Sequence, residues 1–274
     1  MAEAKNRPTR LRQIALVVED LEKAKKQLTY ILGVGVLFED PAVEQFGLKN
    51  FLVVSPIKPS TTAGRLLQKR GEGGYMIIMQ NISAASRRDH ITSNNLGRTI
   101  WGYDNDDVTC VQYHPKGIPG GMMPELDSHA PCASNPTPLQ SRFSPWHACG
   151  SDYPRYVEHM KRAEHLNLEG CILRLAPADM GHEKAARRWE EIFGVARSRN
   201  LVAFTNARLG FMSGREGDRE GSVSITVGVK GRENFQQILD RSREMGLCGD
   251  EWINMCGVKW YFSFTGHMGG QHKL

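Results

Sequence analysis

Long apolar runs are missing from this 274-residue sequence. Its longest, such as FLVV and YMIIM, are far shorter than the roughly 20 residues that a membrane-spanning helix needs. The first ten residues, MAEAKNRPTR, contain no apolar region of the kind found in signal peptides. We therefore expect a cytoplasmic protein that does not contact a membrane.

Basic tracts and a cysteine framework are missing as well. The net charge is +5, but the Lys and Arg residues alternate with Asp and Glu, so a nucleic-acid partner is disfavoured. The six Cys are scattered along the chain without the regular spacing of a disulfide scaffold. We expect reduced thiols and a small-molecule partner.

The two halves of the chain show the same order of patterns. In the first half, apolar residues from Ile14 to Val18 predict a strand, and an acidic cap region then precedes a helix that ends at Gly33. The apolar face of this helix carries five residues, namely Leu21, Ala24, Leu28, Ile31 and Leu32.

The second half repeats this order. A strand is predicted near Ile172 to Leu175, followed by a cap at Asp179 and a helix that ends at Gly194. Its apolar face carries Ala185, Trp189, Ile192 and Phe193. Gln13 and Cys171 are 158 positions apart (171 − 13), and Gly33 and Gly194 are 161 apart (194 − 33). Duplication is the simplest explanation.

Short β-like runs follow each predicted helix, so the repeating unit is one strand, one helix and several strands, used four times. This order predicts an α+β fold of two tandem domains, each built of paired βαβββ modules. A Pro- and Ser-rich stretch separates the halves and has the composition of a linker. The predicted bounds are residues 1–130 and 166–274 for the domains, and 131–165 for the linker.

Three motifs in the first half resemble the vicinal oxygen chelate superfamily, which includes glyoxalases, extradiol dioxygenases and bleomycin-resistance proteins. They are VEQFGLK (residues 43–49), SPIKPSTTAGRLLQKRGEGGY (55–75) and HPKGIPGGMMPELD (114–127). The first half looks most like the methylmalonyl-CoA epimerase branch. The second half matches only the general pattern of the superfamily.

The resemblance implies a divalent metal held by inward-pointing His, Gln and Glu side chains, and most of these ligands are replaced here. The family's first His corresponds to Gln13, its second falls at Met76 or Ile77, and a third ligand falls near Leu52. Glu125 alone survives as a strong ligand. We therefore expect no metal or other cofactor; if a metal is present, Gln13 and Glu125 would bind it.

The second half offers still fewer ligands. Cys171, Ser224 and Phe262 or Ser263 are expected at its metal positions, so this half is predicted to be a structural or pocket-closing partner. Another possible metal site, at His129, Cys132, His147 and Cys149, lacks the usual zinc-finger spacing. Those four are better interpreted as loop residues.

Two carboxylates carry the predicted chemistry. The resemblance places Glu44 at the general base of the epimerases, and Glu125 at their metal-binding glutamate, so the pair could exchange a proton beside a carbonyl without a metal. The candidate substrate-binding residues are Gln13, Tyr75, Ile77, Trp101, Tyr113 and His114. For His114, capping of the turn in HPKGIPGG is the stronger interpretation.

Three functions remain open. The first is an isomerase, epimerase or lyase that acts by glutamate acid/base chemistry. The second is a metal-free protein that binds or sequesters a small molecule, as bleomycin-resistance proteins do. The third is a metal-dependent enzyme of the glyoxalase or dioxygenase type. A monomer is plausible because the duplication supplies two domains, and a homodimer is also possible.

Overall fold

The chain forms two seven-stranded mixed sheets, each accompanied by helices, in a computed structural model. The structure describes residues 8–46, 48–51, 54–56, 59–133, 135–146, 149 and 152–266. It is an α+β fold of two tandem units of paired modules with the strand–helix–strands order that the sequence predicted. Among the described residues, one module of each unit has the full βαβββ order and the other has two strands after its helix. Whether the two units are independent domains with the predicted bounds stays a prediction.

The first sheet is built from the first half of the chain. Its strands lie in the order β2-β3-β1-β4-β7-β6-β5, so the first strands of the two modules, β1 and β4, are central neighbours. The strands are β1 (Arg10–Val17), β2 (Leu48–Asn50), β3 (Val54–Pro56), β4 (Gly73–Gln80), β5 (Thr99–Asp104), β6 (Val108–Tyr113) and β7 (Met123–His129).

The second sheet has the corresponding arrangement, with the order β13-β14-β12-β8-β11-β10-β9. Its strands are β8 (Leu166–Pro177), β9 (Ala196–Ser198), β10 (Leu201–Ala203), β11 (Arg208–Gly214), β12 (Gly221–Val229), β13 (Ile253–Met255) and β14 (Val258–Phe264). All six cysteines of the chain are free thiols.

Six α-helices are described, together with a 3-10 helix at Pro41–Phe46. They are α1 (Leu21–Leu32), α2 (Thr62–Arg70), α3 (Ala84–Ser93), α4 (Tyr153–Arg162), α5 (His182–Phe193) and α6 (Arg232–Glu244). The predicted ends of α1 and α5 are confirmed, because Gly33 and Gly194 both adopt left-handed conformations there.

One predicted cap is wrong. Asp179 does not cap α5, whose N-cap is Gly181 without a side-chain hydrogen bond. The Asp179 carboxylate instead accepts a hydrogen bond from the Gly181 backbone N–H, two residues ahead, which closes a turn before the helix.

The duplication extends to irregularities in the strands. In the first sheet Gln13 is paired with Ile78, and the register shifts at Arg12. In the second sheet Gly170 is paired with Thr226, and the register shifts at Glu169. A second shift, at Tyr75, also has its counterpart, so both central strand pairs carry matching β-bulges.

This register corrects the predicted correspondence between the halves by one residue. Gln13 corresponds to Gly170, an offset of 157 (170 − 13), and not to Cys171. The counterparts of Gln13 and Glu125 are therefore Gly170 and Tyr261, rather than the predicted Cys171 and Phe262 or Ser263. Ser224 is the counterpart of Met76, one of the two positions predicted on that strand, and Thr226 is the counterpart of Ile78.

The two sheets pack against each other through one face each. Side chains of the first sheet, including Leu11, Ile77 and Leu126, share a buried cluster with Leu173 and Phe211 of the second. Helices α3 and α5 contribute to the same cluster, and α1 packs in another cluster with the second sheet. Each sheet therefore has an inner face toward the other sheet and an outer face.

Candidate active site on the outer face of the first sheet

Four neighbouring strands present one row of side chains on the outer face of the first sheet. Gln13 on β1 is paired with Ile78 on β4, Ile78 with Glu125 on β7, and Glu125 with Gln112 on β6. Paired residues of adjacent strands point to the same face. The structure thus brings the predicted residues Gln13 and Glu125 onto one face, on either side of Ile78.

Glu125 is nearly enclosed, with 6% of its surface exposed. Its carboxylate accepts a hydrogen bond of 2.7 Å from Gln112 Nε2. Burial raises the pKa of Glu125 to about 7, and hydrogen bonds from Gln112 and Cys110 partly oppose that rise. The side chain can therefore hold or release a proton near neutral pH.

Asp127 is the next residue on the same face of β7 and is fully buried. Burial, and next the charge of Glu125, raise the pKa of Asp127, whereas the Cys110 thiol and the charge of Arg12 lower it. Burial also raises the pKa of Cys110. Ligand atoms of Cys110, Glu125 and Asp127 lie within 4.8 Å of one another, so the two carboxyl groups are close enough for the charge of one to affect the titration of the other.

Gln80 completes this polar group. It is paired with Asp127 in the parallel ladder and is fully buried, yet neither end of its amide has a hydrogen-bond partner among the described residues. Within the same part of the chain, the side-chain oxygens of Asp127 have none apart from the weak Cys110 thiol. Each unsatisfied buried group costs about 1–3 kcal/mol, so burial of the Gln80 and Asp127 side chains in this way lowers the stability of the folded protein.

The predicted linker covers the outer face. Trp146 is 3% exposed and donates a hydrogen bond of 3.1 Å from its indole Nε1 to Gln13 Oε1. It packs in one buried cluster with Ile78 and with Cys149 and Tyr156 of the same segment. The Tyr156 hydroxyl accepts a hydrogen bond of 2.9 Å from the Trp146 backbone N–H.

Arg12 connects the cover to the carboxylates. Its guanidinium lies 4.7 Å from the centre of the Trp146 ring and donates to the side-chain and backbone oxygens of Ser144, at 3.0 and 2.8 Å. Burial, and then the charge of Arg10, lower the pKa of Arg12 to about 10. Arg12 still carries the positive charge that faces Asp127 at neutral pH.

Two predicted substrate-binding residues face the other way. Ile77 is fully buried in the cluster between the sheets, and Tyr113 lies in the same cluster, with its ring edge-on to Phe193 at 5.7 Å. Alternation along a strand explains both positions, because their neighbours Ile78 and Gln112 occupy the outer face. We therefore leave Ile77 and Tyr113 out of the proposed site.

Tyr75 and Trp101 lie at the margins of the site. Tyr75 is buried beside Val17 and Met123, where burial, followed by the charge of Glu125, raises its pKa. Trp101 is paired with Gln112, which places it on the outer face of the edge strand β5.

His114 has the turn role that the sequence favoured. Its ring Nδ1 accepts a hydrogen bond of 3.0 Å from the backbone N–H of Lys116, inside the turn of the HPKGIPGG motif. That hydrogen bond uses one of the two ring nitrogens and fixes the imidazole against the turn.

Glu44 lies in the 3-10 helix and is exposed. It lacks the burial that would tune a carboxylate for proton transfer near neutral pH. Four residues that the sequence did not single out also lie at this candidate site, namely Asp127, Gln80, Arg12 and Trp146. The alternation in PELDSH could have indicated Asp127, because residues two apart on a strand share a face.

The metal-binding pattern of the family does not fit this face. Ile78 holds the position between Gln13 and Glu125 and has no ligand atom, while Gln13 Oε1 is already bonded to Trp146. Leu52, predicted near a third ligand position, lies outside the described residues. Among the described residues, the one group of three potential ligands is Cys110, Glu125 and Asp127.

The second possible zinc site is not assembled in the described part of the chain. Cys149 is buried in the cover and Cys132 is exposed, whereas His147 lies outside the described residues. The ring of His129 is tilted toward that of Trp146, with the ring centres 6.0 Å apart.

The second sheet presents different side chains at the same positions. Gly170, Thr226, Tyr261 and Ser263 correspond to Gln13, Ile78, Glu125 and Asp127, as the pairing registers show. Glu169 takes the position of Arg12 and accepts a hydrogen bond of 2.7 Å from Ser263 Oγ. This outer face is partly open, since Met212 and Lys259 are exposed on it.

No family model and no curated protein matches the chain. A solved structure shares its fold. It is a hypothetical protein from Staphylococcus aureus with a TM-score of 0.55, 8% identical, and the match covers 94% of this chain and 100% of that one. At this identity the likeness shows the fold alone.

Methylmalonyl-CoA epimerases are also among the similar solved structures, at lower TM-scores. That of Mycobacterium tuberculosis is 20% identical, with a TM-score of 0.39 over 48% of this chain and 93% of its own. That of Streptomyces coelicolor, in complex with 2-nitronate-propionyl-CoA, is 18% identical, with a TM-score of 0.39 over 45% and 96%. Within the described residues, no helix combines the length and the apolar character needed to cross a membrane.

Proposed function

We propose that the outer face of the first sheet is the active site of a small-molecule isomerase, epimerase or lyase, in which Glu125 removes and returns a proton beside a carbonyl group. One observation carries this proposal: a buried glutamate, hydrogen-bonded to Gln112, whose pKa burial raises to about 7. A base with a pKa near the working pH combines a useful ionised fraction with a strong driving force for proton transfer.

We propose Asp127, in place of Glu44, for the second carboxylate role. Glu125 and Asp127 project from the same face of one strand, so both approach a substrate from the same side. Two bases on one side suit a proton shift along a carbon chain or an elimination. A two-base epimerisation would need carboxylates on opposite sides. We therefore favour the isomerase or lyase chemistry.

The charge that develops on the substrate oxygen needs hydrogen-bond donors. The Gln80 amide has no hydrogen-bond partner in the part of the chain that the structure describes, and it lies beside Asp127, so it is suited to this role. Ile78 offers no ligand atom between Gln13 and Glu125, so we propose a mechanism that uses side-chain donors and carboxylates alone.

Proton exchange in D₂O tests the proposal even while the product is unidentified. The protein is incubated with a panel of small oxo acids, enolisable ketones and thioesters, and loss of the C–H signal beside the carbonyl is followed by NMR. Glu125→Gln should slow the enzyme-catalysed exchange by about 10²–10⁴-fold, the usual contribution of a general base. Glu44→Gln is the matched control and should change the rate less than about twofold, a threshold we set for an exposed residue outside the base role.

Retention of full exchange in Glu125→Gln, or its loss in Glu44→Gln, would contradict the assignment. Elemental mass spectrometry of the untagged protein accompanies the assay. Stoichiometric metal that is lost in Glu125→Gln would replace this proposal with a metal-dependent enzyme of the glyoxalase type.

A binding protein is the second candidate, favoured by the way Trp146 fills an apolar part of the face beside Ile78. In that case the Glu125→Gln/Asp127→Asn variant should retain ligand affinity, and no member of the panel should exchange.

A further inference from the structure

Trp146 is held on the outer face as a ligand would be held. Its ring N–H meets one acceptor, Gln13 Oε1, and one of its faces meets the guanidinium of Arg12. Apolar side chains of the same cluster, Ala15 and Ile78, belong to the sheet. The sheet therefore offers a cradle with one hydrogen-bond acceptor, one cation and an apolar wall.

Unsatisfied polar groups lie next to this cradle. Arg12 contacts the indole and its charge acts on Asp127, so the cradle and the carboxylates are adjacent. Within the described ranges, the side chains of Asp127 and Gln80 are buried without the hydrogen bonds that such groups normally make. A ligand with polar substituents on its ring would supply them, which Trp146 cannot do.

The cover is not a requirement of the fold. The second sheet has the same strand order and the same bulges, yet its outer face exposes Met212 and Lys259. Among the described residues, Trp146 and its neighbours thus cover the sheet that carries the paired carboxyl groups, whereas the other sheet keeps exposed side chains on its outer face.

We propose that the cradle beneath Trp146 binds a planar aromatic compound with an N–H or O–H donor on its ring, and that this ligand displaces the indole. This inference rests on the proposed function, because it places the reacting carbon of the ligand near Glu125. It adds the chemical class of the substrate. Polar substituents of the ligand meet Asp127 and Gln80, while Arg12 remains over the ring. When this ligand is not bound, the Trp146 indole fills the cradle.

The first test uses Trp146→Ala with indole itself as the probe. Isothermal titration should show one indole bound per chain, with 1-methylindole, which lacks the N–H donor, bound on the order of tenfold more weakly. Gln13→Met in the same background should abolish that difference, because it removes the acceptor. Equal affinity for the two probes, or absence of binding, would overturn the proposed cradle.

Trp252→Ala is the matched control. Trp252 lies against a cation of the second sheet, with Lys259 Nζ 3.8 Å from its ring centre. The two carboxylates that precede it in the chain, Asp250 and Glu251, are exposed, unlike the buried Glu125 and Asp127. This variant should gain no indole site. If Trp146→Ala does not fold, Trp146→Leu replaces it, since leucine keeps apolar volume and still vacates the Gln13 acceptor.

Displacement is tested in the wild-type protein. The indole N–H signal of Trp146 is assigned in a ¹⁵N spectrum by its loss in Trp146→Phe, and saturating indole is then added. The signal should move to the position of a solvent-exposed indole, and the wild-type affinity should be at least tenfold weaker than that of Trp146→Ala, because the closed state competes. An unmoved signal would show that Trp146 is a fixed core residue.

These readouts measure binding and the position of Trp146, not turnover. Indole binding without proton exchange by any aromatic oxo compound would uphold the ligand site and refute the acid/base function. Proton exchange with aliphatic substrates while Trp146 stays in place would uphold the acid/base function and refute the ligand site.

Discussion

The outer faces of the two sheets share one backbone and differ in their chemistry. Both have matching strand order, register and bulges. The first face has a buried carboxyl pair under a tryptophan, whereas Tyr261 and Ser263 replace that pair in the second. The backbone alone therefore does not make the site; side-chain identity and the cover do.

The bulge positions show the difference most clearly. Arg12 in the first sheet faces Asp127 and holds the cover through Ser144. Glu169 in the second has the opposite charge, and its carboxylate is satisfied within its own sheet by Ser263. A cation at a bulge stabilises buried negative charge, whereas a carboxylate at the same place needs only a hydroxyl donor.

Separate replacement of Trp146 and Trp252 should show the largest difference in stability between the two sheets. Trp146→Ala should lower the free energy of unfolding by about 3–5 kcal/mol, because a fully buried aromatic leaves a cavity. Trp252→Ala should cost about 1 kcal/mol, mainly its contact with Lys259. Urea denaturation of both variants measures the difference, and equal losses would mean that the cover contributes no more than an ordinary surface contact.

The free energy of unfolding should depend on pH because of the buried Glu125. Burial raises the pKa of Glu125 from 4.5 to about 7, so the folded protein holds a proton that the unfolded chain releases between these values. This contribution is complete below the unfolded pKa and is lost as the pH rises through about 7, on the order of 3 kcal/mol in all.

Denaturation midpoints between about pH 4 and 8 test this dependence, a range set by the two pKa values. Glu125→Gln should reduce the decline, and Glu125→Gln/Asp127→Asn should flatten it further because the pKa of Asp127 is also raised. Glu169→Gln, at the second bulge, should keep the wild-type profile because it leaves Glu125 intact. A wild-type stability that rises across this range would contradict the burial of Glu125.

The smallest effect is expected in the second sheet. Ser263→Ala removes the hydrogen bond to Glu169 and should cost about 1 kcal/mol, since Glu169 is only partly buried and water can replace the hydroxyl. A loss of unfolding free energy above about 3 kcal/mol, the upper range for an unsatisfied buried group, would show that Glu169 depends on this hydrogen bond as a fully buried group does.

Local patterns predicted α1 and α5 well, but not α4, which lies in the stretch predicted as a linker. The apolar spacing and terminal glycines located α1 and α5 because these signals act within a few residues. The face of each strand residue was harder to predict. The bulges at Arg12 and Tyr75 shift the register, so Ile78 and not Ile77 joins Gln13 and Glu125. A shift of one residue exchanges the two faces, and composition does not reveal it.

The cover could not be predicted from its composition. A Pro- and Ser-rich stretch is typical of a linker, yet Trp146 binds Gln13 across a separation of 133 residues. Such a contact depends on where the folded sheet places its polar and apolar groups, and no local pattern encodes that.

The sequence by itself determined the tandem α+β order and the C-terminal ends of α1 and α5, and it named Glu44 and Glu125 as candidate carboxylates. The tertiary structure decided which carboxylates are buried. Glu125 and Asp127 are buried together, whereas Glu44 is exposed. Desolvation shifts a pKa only when distant strands and the covering segment exclude water from the group, and that exclusion exists only in the folded chain.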